Sequence, residues 1–148
     1  MNNVKAILSH PIFSGLQRAE VEDLAQYCEV LLLPADQIIM EQGEVSNDMF
    51  ILIKGLLSIR VENQFGEEAE VGTLSKDAIF GEMGVFEDTA RSASIYSKTD
   101  SVVLRIPGSG FHQMVADGHA AMHVLLQHTL TNTCNRLREL DRRLDALF

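Results

Sequence analysis

The chain has 148 residues, 46% of them apolar, no tryptophan and a formal charge of −9. That length suits a single domain with a real core, and no apolar run approaches the roughly 18 residues that a membrane span needs. The acidic balance argues against broad, sequence-independent binding of nucleic acid, which needs many Lys and Arg near phosphates; it still allows one small anion, held by a single well-placed Arg and backbone N–H groups.

Residues 1–28 read as two short helices. The start, MNNVKAILSHP, has a short apolar patch at helical spacing stopped by Pro11, and it lacks the small-residue cleavage site of a signal peptide. In SGLQRAEVEDLAQYC, Leu16, Val21, Leu24 and Ala25 share one helical face, with acids and Gln opposite. Cys28 and Cys134 are far apart and show no metal-ligand spacing, so reduced thiols and a cytoplasmic address are expected.

Residues 29–107 change period. EVLLL, QIIM, DMFILIKG, LLSIRVEN, EAEVGTL, SASIYS and SVVLRIP are short, rich in β-branched residues and separated by turn signals such as Pro34-Ala35-Asp36 and Gln42-Gly43-Glu44. Seven or eight strands at this spacing indicate a sandwich, jelly roll or small barrel. Residues 108–148 return to helix. GSGFHQMV is expected to be a short helix with Ser109 as N-cap. A long helix follows, in which Leu126, Leu130, Thr133, Leu137, Leu140, Leu144 and Leu147 step by alternating fours and threes. That is an a/d seam with one polar interruption. It predicts a helix–helix homodimer around Leu126–Leu147, the alternative being a helix packed on its own barrel.

One stretch carries chemistry: FGEMGVFEDTARSASI, Phe80 to Ile95. An ionised carboxylate only accepts, so Glu82 suits sugar hydroxyls. A guanidinium is a donor fork, so Arg91 suits a phosphate, with the Ser92 hydroxyl beside it. Gly81 lets the backbone approach closely, and a short helical start after it offers N–H groups to an anion. The set describes a ribose-plus-phosphate site under an apolar roof. The plain alternative is that Glu82 and Arg91 pair with each other.

The same stretch resembles the phosphate-binding cassette (residues 80–94) of the cyclic nucleotide-binding domain family. Phe80-Gly81-Glu82-Met83-Gly84-Val85 is similar to its first half and Arg91-Ser92-Ala93 to its second. IIMEQGEVSNDMFILIKGLLSI resembles a second family segment, in which Gly43 and Gly55 are expected at hairpin turns. The resemblance covers nearly the whole chain and implies a mainly β fold with flanking α-helices: a double-stranded β-helix, or jelly-roll barrel, of about eight strands between N-terminal helices and a long C-terminal helix. It implies that Glu82 accepts from the ribose 2′-hydroxyl, that Arg91 neutralises the cyclic phosphate, and that Ser92 and the backbone near Gly81, Met83 and Gly84 add hydrogen bonds. Ile59, Val71 and Ile79 are expected at the apolar wall near the base. Ala90 stands where kinase-type cassettes often have Pro.

The implied ligand is cAMP, or else cGMP, with no other cofactor and no metal. The lid residue that the family takes from the C-terminal helix has candidates in Thr131, Asn132, Thr133, Asn135, Arg136 and Arg138. Binding is expected to draw Arg91 and the short helix inward and to repack the C-terminal helix, altering contacts with an unidentified effector protein. No helix-turn-helix follows the long helix within these residues, so the expectation is a stand-alone sensor or a piece of a longer regulator. Two other classes are weighed. One is a ligand-free dimerisation scaffold. The other is a cupin-like metalloenzyme, which the histidines discourage: His112, His119, His123 and His128 all lie in the C-terminal zone, and the His119/His123 pair lacks an H-E-x-x-H pattern. A non-enzyme is expected.

Overall fold

The computed structural model describes residues 1–147; Phe148, the last residue of the third zone, lies outside the described residues. Two helices, α1 (Asn3–Ser9) and α2 (Arg18–Ala25), flank a 3-10 turn at Pro11–Phe13. Eight strands follow: β1 (Glu29–Leu33), β2 (Ile38–Met40), β3 (Met49–Lys54), β4 (Leu57–Glu62), β5 (Glu68–Leu74), β6 (Ile79–Phe80), β7 (Ser94–Ser97) and β8 (Ser101–Ile106). A short helix, α3 (Glu82–Phe86), interrupts them, and α4 (Gly108–Ala116) and α5 (Ala120–Leu147) close the chain. The fold is mainly β with flanking helices, as expected.

The strands form two antiparallel four-stranded sheets, ordered β1-β8-β3-β6 and β2-β7-β4-β5. Only β4 and β5 form a hairpin between consecutive strands. The turns at Gly43 and Gly55 are therefore not hairpins, because β2–β3 and β3–β4 each cross from one sheet to the other. That crossing is what rolls the two sheets into a jelly roll.

The near-continuous apolar run of β3 has a direct cause: the strand is buried on both faces. Met49, Ile51 and Ile53 face the helices, joining Ile7, Phe13, Leu24, Phe111, Met114 and Leu125 in one core. Phe50 and Leu52 face the interior between the sheets, with Leu33, Leu57, Phe80, Ile95 and Val103. The strand's alternation thus places the barrel interior on one side and the helical layer on the other.

One expectation is corrected and one alternative is removed. Ser109 is not an N-cap: Pro107 takes that position and α4 begins at Gly108. The Gly108 N–H instead donates to Asp48 Oδ1 at 3.4 Å, so a carboxylate from β3's approach serves the helix end. The leucine stripe of α5 does not pack on its own barrel. Only Ala121, Met122 and Leu125 of that helix are buried, whereas Leu126, Leu130, Leu137, Leu140, Leu144 and Leu147 are 37–77% exposed. Among the described residues, no helix is long and apolar enough to cross a membrane.

Candidate functional site

A cavity of about 440 Å³ opens over the β2-β7-β4-β5 sheet and is roofed by α3 and the loop that follows it. Its apolar end is made by Met40, Ile59, Leu74, Ile79, Phe80 and Ile95; its polar end by Glu82, Arg91, Ser92 and Arg136. Eight of the nine residues singled out from sequence line it: Gly81, Glu82, Met83, Gly84, Arg91, Ser92, Ile59 and Ile79. Val71 does not. Ile59 pairs with Gly72 and Leu57 with Leu74, so the inward positions of β5 are Gly72 and Leu74. Val71, one residue out of step, is turned to solvent and 64% exposed. A bulge between Ile59 and Arg60 shifts the pairing there. Leu74 is the wall residue in its place.

Arg91 is the centre of the polar end. Its backbone is fixed first: Gly43 N–H donates to its carbonyl (2.9 Å), and its own N–H donates to Glu44 O (2.8 Å). The guanidinium is then held on three sides. Nε donates to Ser46 Oγ at 2.9 Å, Nη1 to Gly81 O at 2.8 Å and Nη2 to Asp48 O at 2.8 Å. The residue is 6% exposed. Burial pushes the guanidinium below its usual pKa, while Glu44, Asp48 and Glu82 pull it back up. Of the five N–H donors of an arginine, two remain after these three bonds. Among the described residues no carboxylate forms an ion pair with Arg91, so its charge is left available at the cavity wall.

The glycines serve this arrangement. Gly81 has φ +77°, and a Cβ there would lie 2.9 Å from Asp48 O and 3.2 Å from Arg91 Nη1. A Cβ on Gly84 would collide with the Ser46 carbonyl and come within 2.7 Å of Arg91 Nη1. The close approach that the sequence reserves for a ligand is therefore made, in the first place, by the arginine itself. Arg91 is already seated by these contacts.

Glu82 stands at the first position of α3, its side chain 13% exposed, and pairs with Arg136 of α5 rather than with Arg91: Arg136 Nη2 donates to Oε1 at 3.1 Å. Of the lid candidates, Arg136 is the one that lines the cavity. Ser92 is exposed beside Arg91, and Met83 is 61% exposed at the rim. Sequence reasoning missed Ser46 and Asp48. Both act through a hydroxyl or a carbonyl in a segment that reads as a plain polar turn, SND. Asp48 also joins the site to the helical layer: its carbonyl holds Arg91, and its carboxylate accepts from Arg105 Nε at 2.8 Å and from the start of α4.

The histidines of the C-terminal zone are placed apart from the cavity lining. His119 Nδ1 accepts from Ala121 N–H at 3.0 Å at the start of α5, and its Nε2 lies 3.2 Å from Asp23 Oδ2, while His123 is exposed. Among the described residues no group of three or more His, Cys, Asp or Glu is placed to hold a metal ion.

A model of the cyclic nucleotide-binding domain family matches residues 30–117, more than half of the chain. The cAMP-dependent protein kinase regulatory subunit of Mycosarcoma maydis is 30% identical over 104 residues, covering 69% of this chain and 20% of that protein. The cAMP-activated global transcriptional regulator CRP of Pasteurella multocida is 27% identical over 128 residues, 86% of this chain and 59% of that protein. The solved structure of the Thermus thermophilus catabolite activator protein matches with a TM-score of 0.74 and 26% identity, over 93% of this chain and 62% of that one. The chain spans less than two thirds of the length of each.

Proposed function

This chain belongs to the cyclic nucleotide-binding domain family, and from that premise we propose that it is a regulatory module that binds cAMP, with cGMP as second candidate, in the cavity beneath α3. The observation that carries the reading is Arg91: a buried cation, preorganised by three protein acceptors, with donors to spare and no carboxylate paired to it among the described residues. A cyclic phosphate supplies the missing charge. Glu82 accepts from the ribose 2′-hydroxyl, Ser92 and the α3 backbone complete the phosphate contacts, and the base lies on Ile59, Leu74 and Ile79. That the relatives above are named for cAMP supports cAMP over cGMP.

The output is a change in helix packing rather than catalysis. Arg91 is preorganised, so binding acts on α3 and, through Glu82 and Asp48, on α5 and α4. This shifts the population of α5 positions and with it the leucine stripe, which we assign to a homodimer and to contacts with an effector protein. The two free cysteines suit a cytoplasmic setting.

Calorimetric titration of the wild type and Arg91→Ala with cAMP, then cGMP, tests the site. Micromolar binding by the wild type, weakened by about 2–5 kcal/mol in the variant because a buried phosphate loses its partner, is the expected result. Absence of binding by the wild type to both nucleotides, with no thermal shift, would overturn the reading and favour the scaffold.

A further inference from the structure

The root of α5 lies away from the cavity, and a buried histidine holds it. His119 precedes Ala120, where α5 begins. Its Nδ1 accepts from the Ala121 N–H at 3.0 Å, the bond that an N-cap side chain makes. A ring nitrogen that accepts carries no proton, so the imidazole is neutral and its proton sits on Nε2. That nitrogen is enclosed. The side chain is 8% exposed, and among the described residues Nε2 has no hydrogen-bond partner. Asp23 Oδ2 of α2 is 3.2 Å away but out of line for a hydrogen bond. His10 caps the Pro11–Phe13 turn in the same way, through Ile12 N–H at 3.1 Å, but its Nε2 is satisfied by Asp77 O at 2.8 Å.

We propose that His119 is a proton-operated latch at the root of α5: neutral, it caps the helix; protonated, it gives up the cap and is held by Asp23 of α2. Nε2 already bears a proton, so the second one goes to Nδ1. Nδ1 has a single lone pair, and a proton there sets N–H against the Ala121 N–H. It also places positive charge at the positive end of the helix dipole. The same proton turns the misaligned Nε2–Asp23 contact into an ion pair. Capping and protonation therefore exclude each other, and acid exchanges one tie for the other. The remaining ionisable groups on the neighbouring elements are engaged or exposed. On α2, Arg18 pairs with Glu22, and Glu20 accepts from Gln17 N–H. On α4, Asp117 accepts from Gln113, and His112 is exposed beside Phe111. His123, one turn along α5, is exposed. Among the described residues Asp23 is the one carboxylate in ion-pair range of His119. Ala121, Met122 and Leu125 are the buried part of α5, packed in one core with Phe13 and Leu24. The latch thus acts where the helix is anchored, between about pH 5 and pH 8, where histidine changes charge, whatever the cavity binds.

NMR of the wild type tests both halves. Long-range 15N–1H correlation at about pH 8 is expected to find the His119 proton on Nε2. Amide exchange at Ala121 and Met122, corrected for the intrinsic pH dependence of exchange, is expected to show protection falling about fivefold from pH 8 to pH 5, the worth of a typical N-cap. His119→Asn supplies a cap that does not titrate and should hold protection constant over that range. His119→Ala should show the low protection at both ends. Asp23→Asn removes the charge that receives the imidazolium and should move the fall to lower pH. His10 is the same in all four proteins, so their differences isolate His119. A proton on Nδ1 at pH 8, or equal pH dependence in wild type and His119→Asn, overturns the latch. A fall that Asp23→Asn leaves in place overturns the part given to Asp23.

Discussion

Arg91 and Glu82 were legible from sequence because their chemistry is written in side-chain types: a lone cation and a lone carboxylate near glycines in an acidic protein. Their surroundings were not. Ser46, Asp48 and Gly81 hold Arg91 through one hydroxyl and two carbonyls, and a backbone carbonyl leaves no mark in an amino-acid sequence. Glycine at position 84 is the residue whose role changes most. In an exposed helix, replacing Gly with Ala is favourable by about 1 kcal/mol, but here the added methyl meets the Ser46 carbonyl and the Arg91 guanidinium. Overpacking of that kind costs about 1–3 kcal/mol. Gly84→Ala is therefore expected to lower stability in urea denaturation and to weaken nucleotide binding by displacing Arg91; unchanged binding would mean that the guanidinium has other room to move. Cys28 gives a second prediction at this scale. Burial raises its thiol pKa to about 12, against about 8.5 for an unfolded cysteine. The folded state then retains a proton that the unfolded state releases, so stability is full below about pH 8.5 and falls as pH rises from there toward 12. Urea denaturation between pH 7.5 and 10 should show that decline in the wild type and a shallower one in Cys28→Ser.

Among the elements, apolar segments bounded by turn signals were legible as strands, and the shortest strand was not. The seven apolar segments each became a strand, while the two-residue β6 emerged only through its pairing with β3, Phe50 to Phe80 and Ile51 to Ile79. Register was the weak point: Val71 and Leu74 are equally apolar, and only the pairing of β5 with β4 decides which faces the cavity. The couplings between elements were invisible in the same way. Asp48 links the seat of Arg91 to the start of α4, and Phe86 of α3 packs edge-on against Phe111 of α4 with centroids 5.7 Å apart. Asp48→Ala removes the carboxylate while keeping the carbonyl that holds Arg91. Its expected effects separate accordingly. Stability falls by about 1.5–3 kcal/mol, the range for hydrogen bonds to charged groups, because the α4 N-terminus loses an acceptor and Arg105 keeps only Glu29. Nucleotide affinity changes little, but the ligand-induced change in hydrogen exchange across α4 and α5 is reduced. An undiminished exchange response would place the coupling elsewhere, with Phe86–Phe111 as the next contact to remove.

For the whole molecule the open surface is the α5 stripe. Six exposed leucines at a/d spacing on a 28-residue helix, uncovered by the chain's own barrel, form a larger apolar strip than a solitary helix face normally shows. The stripe's flanks add a direction. Arg136 and Arg143 lie on one side of the seam and Asp141 on the other. Parallel pairing of two copies sets Arg136 of each against Asp141 of the other, whereas antiparallel pairing sets arginine against arginine. A parallel homodimer is thus the arrangement that the charges favour. Sedimentation equilibrium is expected to find a dimer in the wild type and a monomer in Leu137→Glu/Leu140→Lys, which puts charge into the middle of the seam. Asp141→Arg should weaken the dimer less, since a flanking pair contributes only a few tenths of a kcal/mol. A wild type that stays monomeric at high concentration with ligand present would instead leave the stripe to a different protein as partner.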